Sequence, residues 1–188
     1  MSPPLYGPRF EAALGYAAQL HFAQRRKGAG APYIIHPLAV ASLVGQYGGD
    51  EDQAIAALLH DTIEDCGVTE PTLAARFGDR VARMVAAATD DATTPRPPWR
   101  ERKERHIAHV HGLDADAKLV IAADKLHNAL SIQRDRRRPE VGETVWDRFS
   151  ADREAVRWYY RAMTAALADG WDQPILAELR DVVSQLEA

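Results

Sequence analysis

One histidine and three carboxylates lie close together in the segment of residues 60–65. They follow an apolar run, residues 54–59, which is hydrophobic on every side and therefore predicts a buried helix. His60 and Glu64 are four residues apart, as are Asp61 and Asp65, so on a helix each pair shares a face and the two faces adjoin. Ionisable groups at the end of a buried helix are costly unless they are paired or bind a metal ion.

Polar side chains also interrupt apolar sequence in two other segments. Asp124 lies in an otherwise apolar helical run, and Asn128 follows one turn later on the same face. His36 precedes Pro37, and because the residue before proline is held extended, we expect His36 to project just ahead of a helix start. Taken alone, Asp124 could be an exposed acid paired with a base, and His36 a helix cap or a buried structural histidine.

Together these segments supply two imidazoles and two carboxylates, with no thiolate: His36, His60, Asp61 and Asp124. Such a mixed nitrogen and oxygen set suits Mn²⁺, Fe²⁺ or Mg²⁺ better than structural zinc. A divalent ion lowers the pKa of bound water and neutralises charge that develops on phosphate. The nearby Glu64 and Asp65 would then orient that water or act as its general base.

The elements that carry these residues are predicted to be helical nearly throughout, because apolar residues recur at three and four positions. We therefore predict an all-α fold, a single helical bundle of about 8–10 helices over residues 1–188. The motifs occupy about 10–132 and the C-terminal helices 143–188. Helices are expected over about 9–27, 37–47, 51–65, 70–77, 79–89, 99–110 and 114–133, with a loop at 90–98 and an irregular stretch at 134–142.

Composition narrows the class of protein. The 188 residues are 46% hydrophobic and 27% charged, an ordinary globular balance. No apolar run reaches the roughly 18–20 residues of a membrane span, and the first residues do not form a signal peptide, so we expect a cytoplasmic protein without membrane contact. The net charge of −4 argues against a nucleic-acid polymer as partner. Basic clusters at 25–27, 100–105 and 134–138 suit a small polyanion, or are solvated helix ends.

Other reactive residues have ordinary interpretations. Cys66 has acidic neighbours and is predicted to be inert. His21 either borders the site or is a core histidine. His106 belongs to a histidine-rich segment with no carboxylate at complementary spacing, so we predict a surface helix there. The aromatic run at residues 158–160 is interpreted as core or a subunit contact, with base stacking as the alternative.

Four segments carry a resemblance to a known family: Arg-Arg-Lys at 25–27, Pro-Tyr-Ile-Ile-His-Pro at 32–37, Ala-Leu-Leu-His-Asp-Thr-Ile-Glu-Asp at 57–65 and Ala-Asp-Lys-Leu-His-Asn at 123–128. In this order they resemble the HD superfamily of metal-dependent phosphohydrolases. They are most similar to the hydrolase domain of RelA/SpoT homologues, which in stand-alone form are the small alarmone hydrolases. The resemblance spans about residues 10–132.

The resemblance implies manganese-dependent removal of the 3′-pyrophosphate from (p)ppGpp, leaving GDP or GTP. It assigns Mn²⁺ to the four ligands above, and the attacking water to Glu64 and Asp65. It also implies a set of substrate-binding residues: Arg25, Arg26 and Lys27 for the pyrophosphate, Asn128 near the ribose or phosphates, and Lys103 with Arg102 for phosphate. Since the chain is too short for a nucleotide-synthesising half, hydrolysis alone is expected.

Two departures from the family pattern leave alternatives open. His127 stands where family members often carry Tyr, and the segment 134–152 is longer and more basic than in the shortest members. Both could change how the base is held. The alternatives are an HD phosphohydrolase for (p)ppApp, NADPH or another nucleotide, and a non-catalytic nucleotide-binding or antitoxin-like module. The oligomeric state stays open.

Overall fold

A computed structural model describes residues 6–27, 30–90, 95 and 97–187. Within these ranges the chain forms ten α-helices, one 3-10 helix over Gly142–Arg148 and no strand, which confirms the predicted all-α class. None of the described helices is long and apolar enough to cross a membrane. The α-helices are α1 Pro8–Leu20, α2 Ile35–Gln46, α3 Glu51–Leu59, α4 Thr62–Cys66, α5 Glu70–Phe77, α6 Asp79–Ala88, α7 Trp99–His111, α8 Ala115–Arg136, α9 Arg153–Ala168 and α10 Pro174–Glu187.

Helix α3 forms the centre of the bundle. It begins with a capping box, in which the Asp50 carboxylate accepts from the Gln53 backbone and the Gln53 side chain accepts from the Asp50 backbone, both at 3.0 Å. All six residues of the apolar run 54–59 are completely buried, as the sequence predicts. Since α1, α2, α6 and α8 pack around α3, its C-terminal end is a fixed point in the core.

Helix α8 is the longest element and the second support of the site. Asp114 caps it by accepting from the Ala117 backbone at 3.0 Å. Its apolar residues pack against α2, α3 and α6 on one side and against α9 and α10 on the other. Residues of the C-terminal helices therefore belong to the same hydrophobic cluster as those of the motif-bearing helices.

Four predicted helix boundaries are wrong. Helix α1 ends at Leu20 instead of about Lys27, because the chain turns there and pairs with the segment ahead of α2: Arg26 donates to the Ala31 carbonyl and Tyr33 to that of Gln24, both at 2.9 Å. Helix α2 begins at Ile35, before Pro37, so His36 lies within its first turn. Helix α8 continues to Arg136. The predicted 51–65 helix is interrupted after Leu59. In the predicted loop at 90–98, residues 91–94 and 96 lie outside the described ranges.

The end of α6 is joined to α7 by a buried ionic cluster. Asp90 forms ion pairs with Arg102 and with Lys103 Nζ, the latter at 2.9 Å. His106, for which a surface helix was predicted, is instead buried, with Nδ1 3.9 Å from Asp90 Oδ1. That prediction was wrong because the partner carboxylate lies 16 residues away in the sequence.

This cluster should contribute strongly to stability. Burial alone would raise the pKa of Asp90, but His106, Lys103 and Arg102 outweigh it and lower the pKa below its usual range. Because the pKa of Asp90 is lower in the folded state than in the unfolded state, the ionised carboxylate stabilises the fold at pH values above about 4, the ordinary pKa of an aspartate. This contribution is lost as the pH falls further. We expect Asp90→Asn to lower the free energy of unfolding by about 3 kcal/mol at pH 7 because Arg102 is left buried without its counter-charge.

Urea unfolding at pH 7 and at lower pH checks this expectation. The difference between wild type and Asp90→Asn should narrow as the pH falls below about 4. Glu104→Gln is the control, since the Arg100–Glu104 pair on α7 is exposed and should be worth less than about 1 kcal/mol. Equal effects of the two substitutions would contradict the expectation.

Candidate metal centre

Three of the four predicted ligands, His36, His60 and Asp124, have donor atoms within 4.8 Å of one another. The Nε2 atoms of His36 and His60 are 3.1 Å apart. Asp124 Oδ1 lies 3.2 Å from His36 Nε2 and 3.6 Å from His60 Nε2. Asp61 joins them, with Oδ2 2.9 Å from His60 Nε2 and 3.5 Å from His36 Nε2. Two imidazoles and two carboxylates thus converge from α2, α8 and the junction of α3 and α4.

The interruption between α3 and α4 explains how neighbouring residues reach the same point. On a continuous helix, successive side chains point about 100° apart. Here Asp61 has φ −94° and ψ −2°, in the bridge region between helix and strand conformations. Helix α4 restarts at Thr62, and Gly67 ends it in the left-handed conformation. The pair His60/Glu64 therefore spans the interruption, whereas Asp61 and Asp65 remain one helical turn apart, with the Asp65 N–H donating to the Asp61 carbonyl at 2.8 Å.

Hydrogen bonds to the outer ring nitrogens orient both imidazoles. His60 Nδ1 lies 2.8 Å from the Ala57 carbonyl, which only accepts, so Nδ1 carries a proton. His36 Nδ1 lies 2.7 Å from His127 Nδ1. Burial, together with the charges of His36 and Arg26, lowers the pKa of His127 to about 4, so at neutral pH His127 can accept from His36. Both Nε2 atoms are thereby directed at the centre of the cluster.

The carboxylates are also held by neighbours. Tyr33 donates to Asp61 Oδ2 at 2.5 Å. Asp124 accepts from Asn128 Nδ2 at 2.6 Å through Oδ1 and from Lys125 Nζ at 2.7 Å through Oδ2. These bonds limit the rotation of both carboxylates and leave an oxygen of each facing the imidazoles.

The electrostatics of the cluster favour a cation at its centre. Burial by itself would lower the pKa of His60, but Asp61 and Asp124 raise it well above its usual value. Burial would likewise raise the pKa of Asp61, but the charge of His60 and hydrogen bonds from the two histidines lower it. The two carboxylates therefore favour the protonated form of His60, that is, a positive charge at this point. A divalent cation would replace that proton, so the donor set fits a metal ion.

The two predicted water-activating residues lie on α4, which begins directly after Asp61. Glu64 and Asp65 are on α4, and both side chains are exposed. Asp65 Oδ2 accepts from Gln24 Nε2 at 2.7 Å. Both residues therefore follow Asp61 closely in the sequence but are not among the converging donor atoms of the described residues.

The predicted substrate-binding residues are distributed unevenly. Arg26 donates to Asn128 Oδ1 at 2.9 Å, which places a guanidinium beside the Asp124 side of the cluster. Arg25 is exposed and donates to the Gly30 carbonyl, and Lys27 is exposed. Lys103 lies apart from these three, in the Asp90 cluster of α7, and its Nζ is 4.8 Å from the centre of the Tyr159 ring.

Several other basic residues have acidic partners. Arg100 and Arg105 pair with glutamates of their own helix, and Arg136 and Arg138 pair with Glu143 and Asp135. Tyr159 and Tyr160 are buried, which agrees with their interpretation as core residues. In the basic clusters at 100–105 and 134–138, the arginines with acidic partners fit the interpretation as solvated helix ends better than that as a polyanion site.

Sequence reasoning missed several residues that shape the site. Tyr33 and Gln24, which bond to Asp61 and Asp65, carry no recognisable spacing signal because they act from an irregular segment. Lys125 adjoins Asp124 in the sequence, and a buried acid next to a lysine is a signal that could have been used. His127 was noted only as a departure, although it contacts His36 directly.

We expect His127→Phe to weaken Mn²⁺ binding by about 10–100-fold, because the Nδ1 proton of His36 loses its acceptor. Calorimetric titration of metal-stripped protein with Mn²⁺ measures the change. His127→Tyr should recover part of the affinity, since a phenol oxygen can accept the same proton. His109→Phe, at an exposed position of α7, is the matched control. Wild-type affinity in His127→Phe would refute this role.

The helical scaffold and its two-histidine, two-aspartate centre define a metal-dependent phosphohydrolase of the HD class. The sequence matches the HD domain family over residues 13–156, and the chain belongs to this family. The resemblance noted from the motifs is thereby confirmed.

Individual proteins are more specifically similar. The chain is 42% identical over 125 residues to guanosine-3′,5′-bis(diphosphate) 3′-pyrophosphohydrolase MESH1 of Xenopus tropicalis, covering 65% of this chain and 68% of that protein. It is 32% identical to the much longer Aquifex aeolicus pyrophosphohydrolase, covering 77% of this chain and 21% of that protein. A solved structure described as a metazoan ortholog of SpoT that hydrolyzes ppGpp superposes with a TM-score of 0.80, at 26% identity and with 98% of both chains covered.

Proposed function

We propose that this protein is a Mn²⁺-dependent (p)ppGpp 3′-pyrophosphohydrolase that releases pyrophosphate and GDP or GTP. The observation that carries the proposal is the convergence of His36, His60, Asp61 and Asp124 at the start of α4, the helix that carries Glu64 and Asp65. The MESH1 relatives, which carry this activity in their names, support the choice of substrate. Mg²⁺ and Fe²⁺ suit the same donor atoms, so the identity of the ion is part of the proposal.

His36, His60, Asp61 and Asp124 would hold the ion. When bound, it supplies positive charge against the phosphates and lowers the pKa of bound water. The chain's own groups provide the proton transfer. Asp65 or Glu64 accepts a proton from the attacking water, and the water oxygen forms a bond to phosphorus while the bond to the ribose 3′-oxygen breaks. The leaving oxygen then takes up a proton, which balances the reaction.

Arg26 is the best placed of the predicted pyrophosphate ligands. Its guanidinium is held by Asn128, which in turn donates to Asp124, so a metal ligand and a phosphate-binding cation are linked through one amide. A guanidinium binds phosphate oxygens in a bidentate manner. Arg25 and Lys27, exposed on the same segment, would add charge once the substrate is bound.

Lys103 is proposed to bind a more distant phosphate. Its Nζ approaches the ring of Tyr159, and Lys125 Nζ lies 5.8 Å from the centre of the same ring while bonded to Asp124. The Asp90 cluster and the metal centre are therefore joined across Tyr159. A nucleotide with phosphates at both ends of its ribose could contact both.

The decisive experiment incubates metal-stripped protein with ppGpp and with ppApp, with and without Mn²⁺, and resolves nucleotides and pyrophosphate. Mn²⁺-dependent formation of GDP and pyrophosphate is expected. Turnover of ppApp alone would keep the mechanism but move the base preference. Binding of nucleotide without hydrolysis would show that the protein is a nucleotide-binding module and not an enzyme.

An HD phosphohydrolase for (p)ppApp, NADPH or another nucleotide is the second candidate. The observation that favours it is His127, which stands at a frequent Tyr position and contacts His36.

We also propose that residues 1–188 act as a single domain, because the C-terminal helices share one hydrophobic cluster with the motif-bearing helices. The proposed partner is a small nucleotide.

A further inference from the structure

A chain of hydrogen bonds connects the protein core to Asp65. We propose that Gln24 and His21 are positioning residues that hold the Asp65 carboxylate in place for the attacking water. The inference rests on the proposed function, since it assigns Asp65 to the water. Neither residue belongs to the metal ligands or to the predicted substrate contacts.

The geometry of the chain is continuous. His21 directly follows α1 and is 2% exposed. Its Nδ1 lies 2.6 Å from Gln24 Oε1, and Gln24 Nε2 donates to Asp65 Oδ2 at 2.7 Å. One end is therefore fixed in the core, and the other reaches the exposed carboxylate of Asp65 on α4, four residues after Asp61.

The chemistry of the groups sets the direction of each bond. An amide oxygen only accepts, so the proton between His21 and Gln24 belongs to His21 Nδ1. The amide nitrogen must then face Asp65 as a donor. Of the two Asp65 oxygens, Gln24 donates to Oδ2. The other oxygen stays available for water.

The packing around His21 keeps this chain rigid. The His21 ring lies against Tyr33, with ring centres 5.0 Å apart, and the Tyr33 hydroxyl donates to Asp61. Cys66 Sγ is 3.6 Å from His21 Nδ1. Tyr33 therefore contacts both His21, which supports Asp65 through Gln24, and the predicted metal ligand Asp61. Asp65 lies on the five-residue helix α4, so without Gln24 its side chain could adopt other rotamers.

Two substitutions of Gln24 distinguish the effect of its bond to His21 from the effect of its bond to Asp65. Gln24→Met removes both bonds at similar side-chain length. Gln24→Glu keeps the acceptor for His21 but replaces the donor to Asp65 with a second carboxylate oxygen. We expect kcat for ppGpp to fall by up to about 100-fold in both, because a displaced base loses its alignment with the water. KM and the Mn²⁺ affinity should be unchanged. Gln19→Met and Gln19→Glu, at an exposed position of α1, are matched controls.

A spectroscopic measurement tests the chain without turnover. Long-range ¹H–¹⁵N correlation of the imidazoles in metal-free protein should show His21 protonated at Nδ1. This signature should persist in Gln24→Glu and be lost in Gln24→Met. If wild type hydrolyses no nucleotide, the proposed function fails and the spectrum still tests the hydrogen bonds. If wild type is active, a wild-type kcat in Gln24→Met overturns the positioning role, as does an Nε2-protonated His21.

Discussion

Asp124→Asn is expected to reduce turnover to the rate measured without metal and to weaken Mn²⁺ binding at least about 100-fold, the upper end of what loss of an outer hydrogen bond costs. The substitution keeps the size of the side chain but removes its charge. Asp124 Oδ1 faces both ligand imidazoles, so the ion would lose a charged oxygen ligand. Oδ2 is the partner of Lys125, which would add an uncompensated positive charge beside the site.

Three measurements on the same preparation decide the outcome: Mn²⁺ titration by calorimetry, product analysis and far-UV circular dichroism. The helical content should match wild type, and His60→Ala should give the same result through a ligand on a different element. Asp116→Asn is the control, an acid eight residues before Asp124 on α8 that pairs with Arg80 and is not among the converging donor atoms. Full activity in either ligand variant would refute the assigned metal centre.

Glu64→Gln and Asp65→Asn are expected to lower kcat while leaving Mn²⁺ binding intact. Neither side chain is among the converging donor atoms, so the ion should still bind. General base catalysis contributes about 10²–10⁴-fold, and the residue that accepts the proton should lose a factor in this range. The other residue should show a smaller loss. The comparison therefore assigns the base, and the hydrogen bond from Gln24 to Asp65 leads us to expect the larger loss in Asp65→Asn.

Steady-state kinetics with ppGpp at saturating Mn²⁺ measures both variants. Glu70→Gln, an exposed position on α5, controls for the loss of one negative charge nearby. If either site variant loses Mn²⁺ affinity in parallel with kcat, the separation between ligands and base is wrong.

The fold class was predictable because helical periodicity is a local property. Apolar spacing, the Asp50 capping box and the Asp114 cap all lie within a few residues of the helices they define. Helix ends were less predictable. Helix α1 stops at Leu20 because Gln24 and Arg26 pair with residues 31–33, and nothing in the local composition indicates that partner.

The metal ligands could be proposed from the sequence because polar groups in apolar helices are costly, and His60, Asp61 and Asp124 each interrupt such a run. Their positions relative to one another could not be predicted from the sequence. The helix is interrupted at His60 and Asp61, and these adjacent side chains meet in the cluster. Lys103 could be named as a phosphate ligand, but its pairing with Asp90 required the packing of α7 against the end of α6.

The sequence by itself therefore determined the helices, the ionisable residues that interrupt them and the chemistry those residue types can perform. Only the tertiary structure decided which ionisable groups converge, which nitrogen of each histidine faces the centre, and that Gln24 donates to Asp65. The physical reason is the sequence separation over which each kind of interaction acts. Helix formation depends on neighbours within about one turn, whereas burial and hydrogen bonding at the site depend on residues such as His36 and His127, which are 91 positions apart.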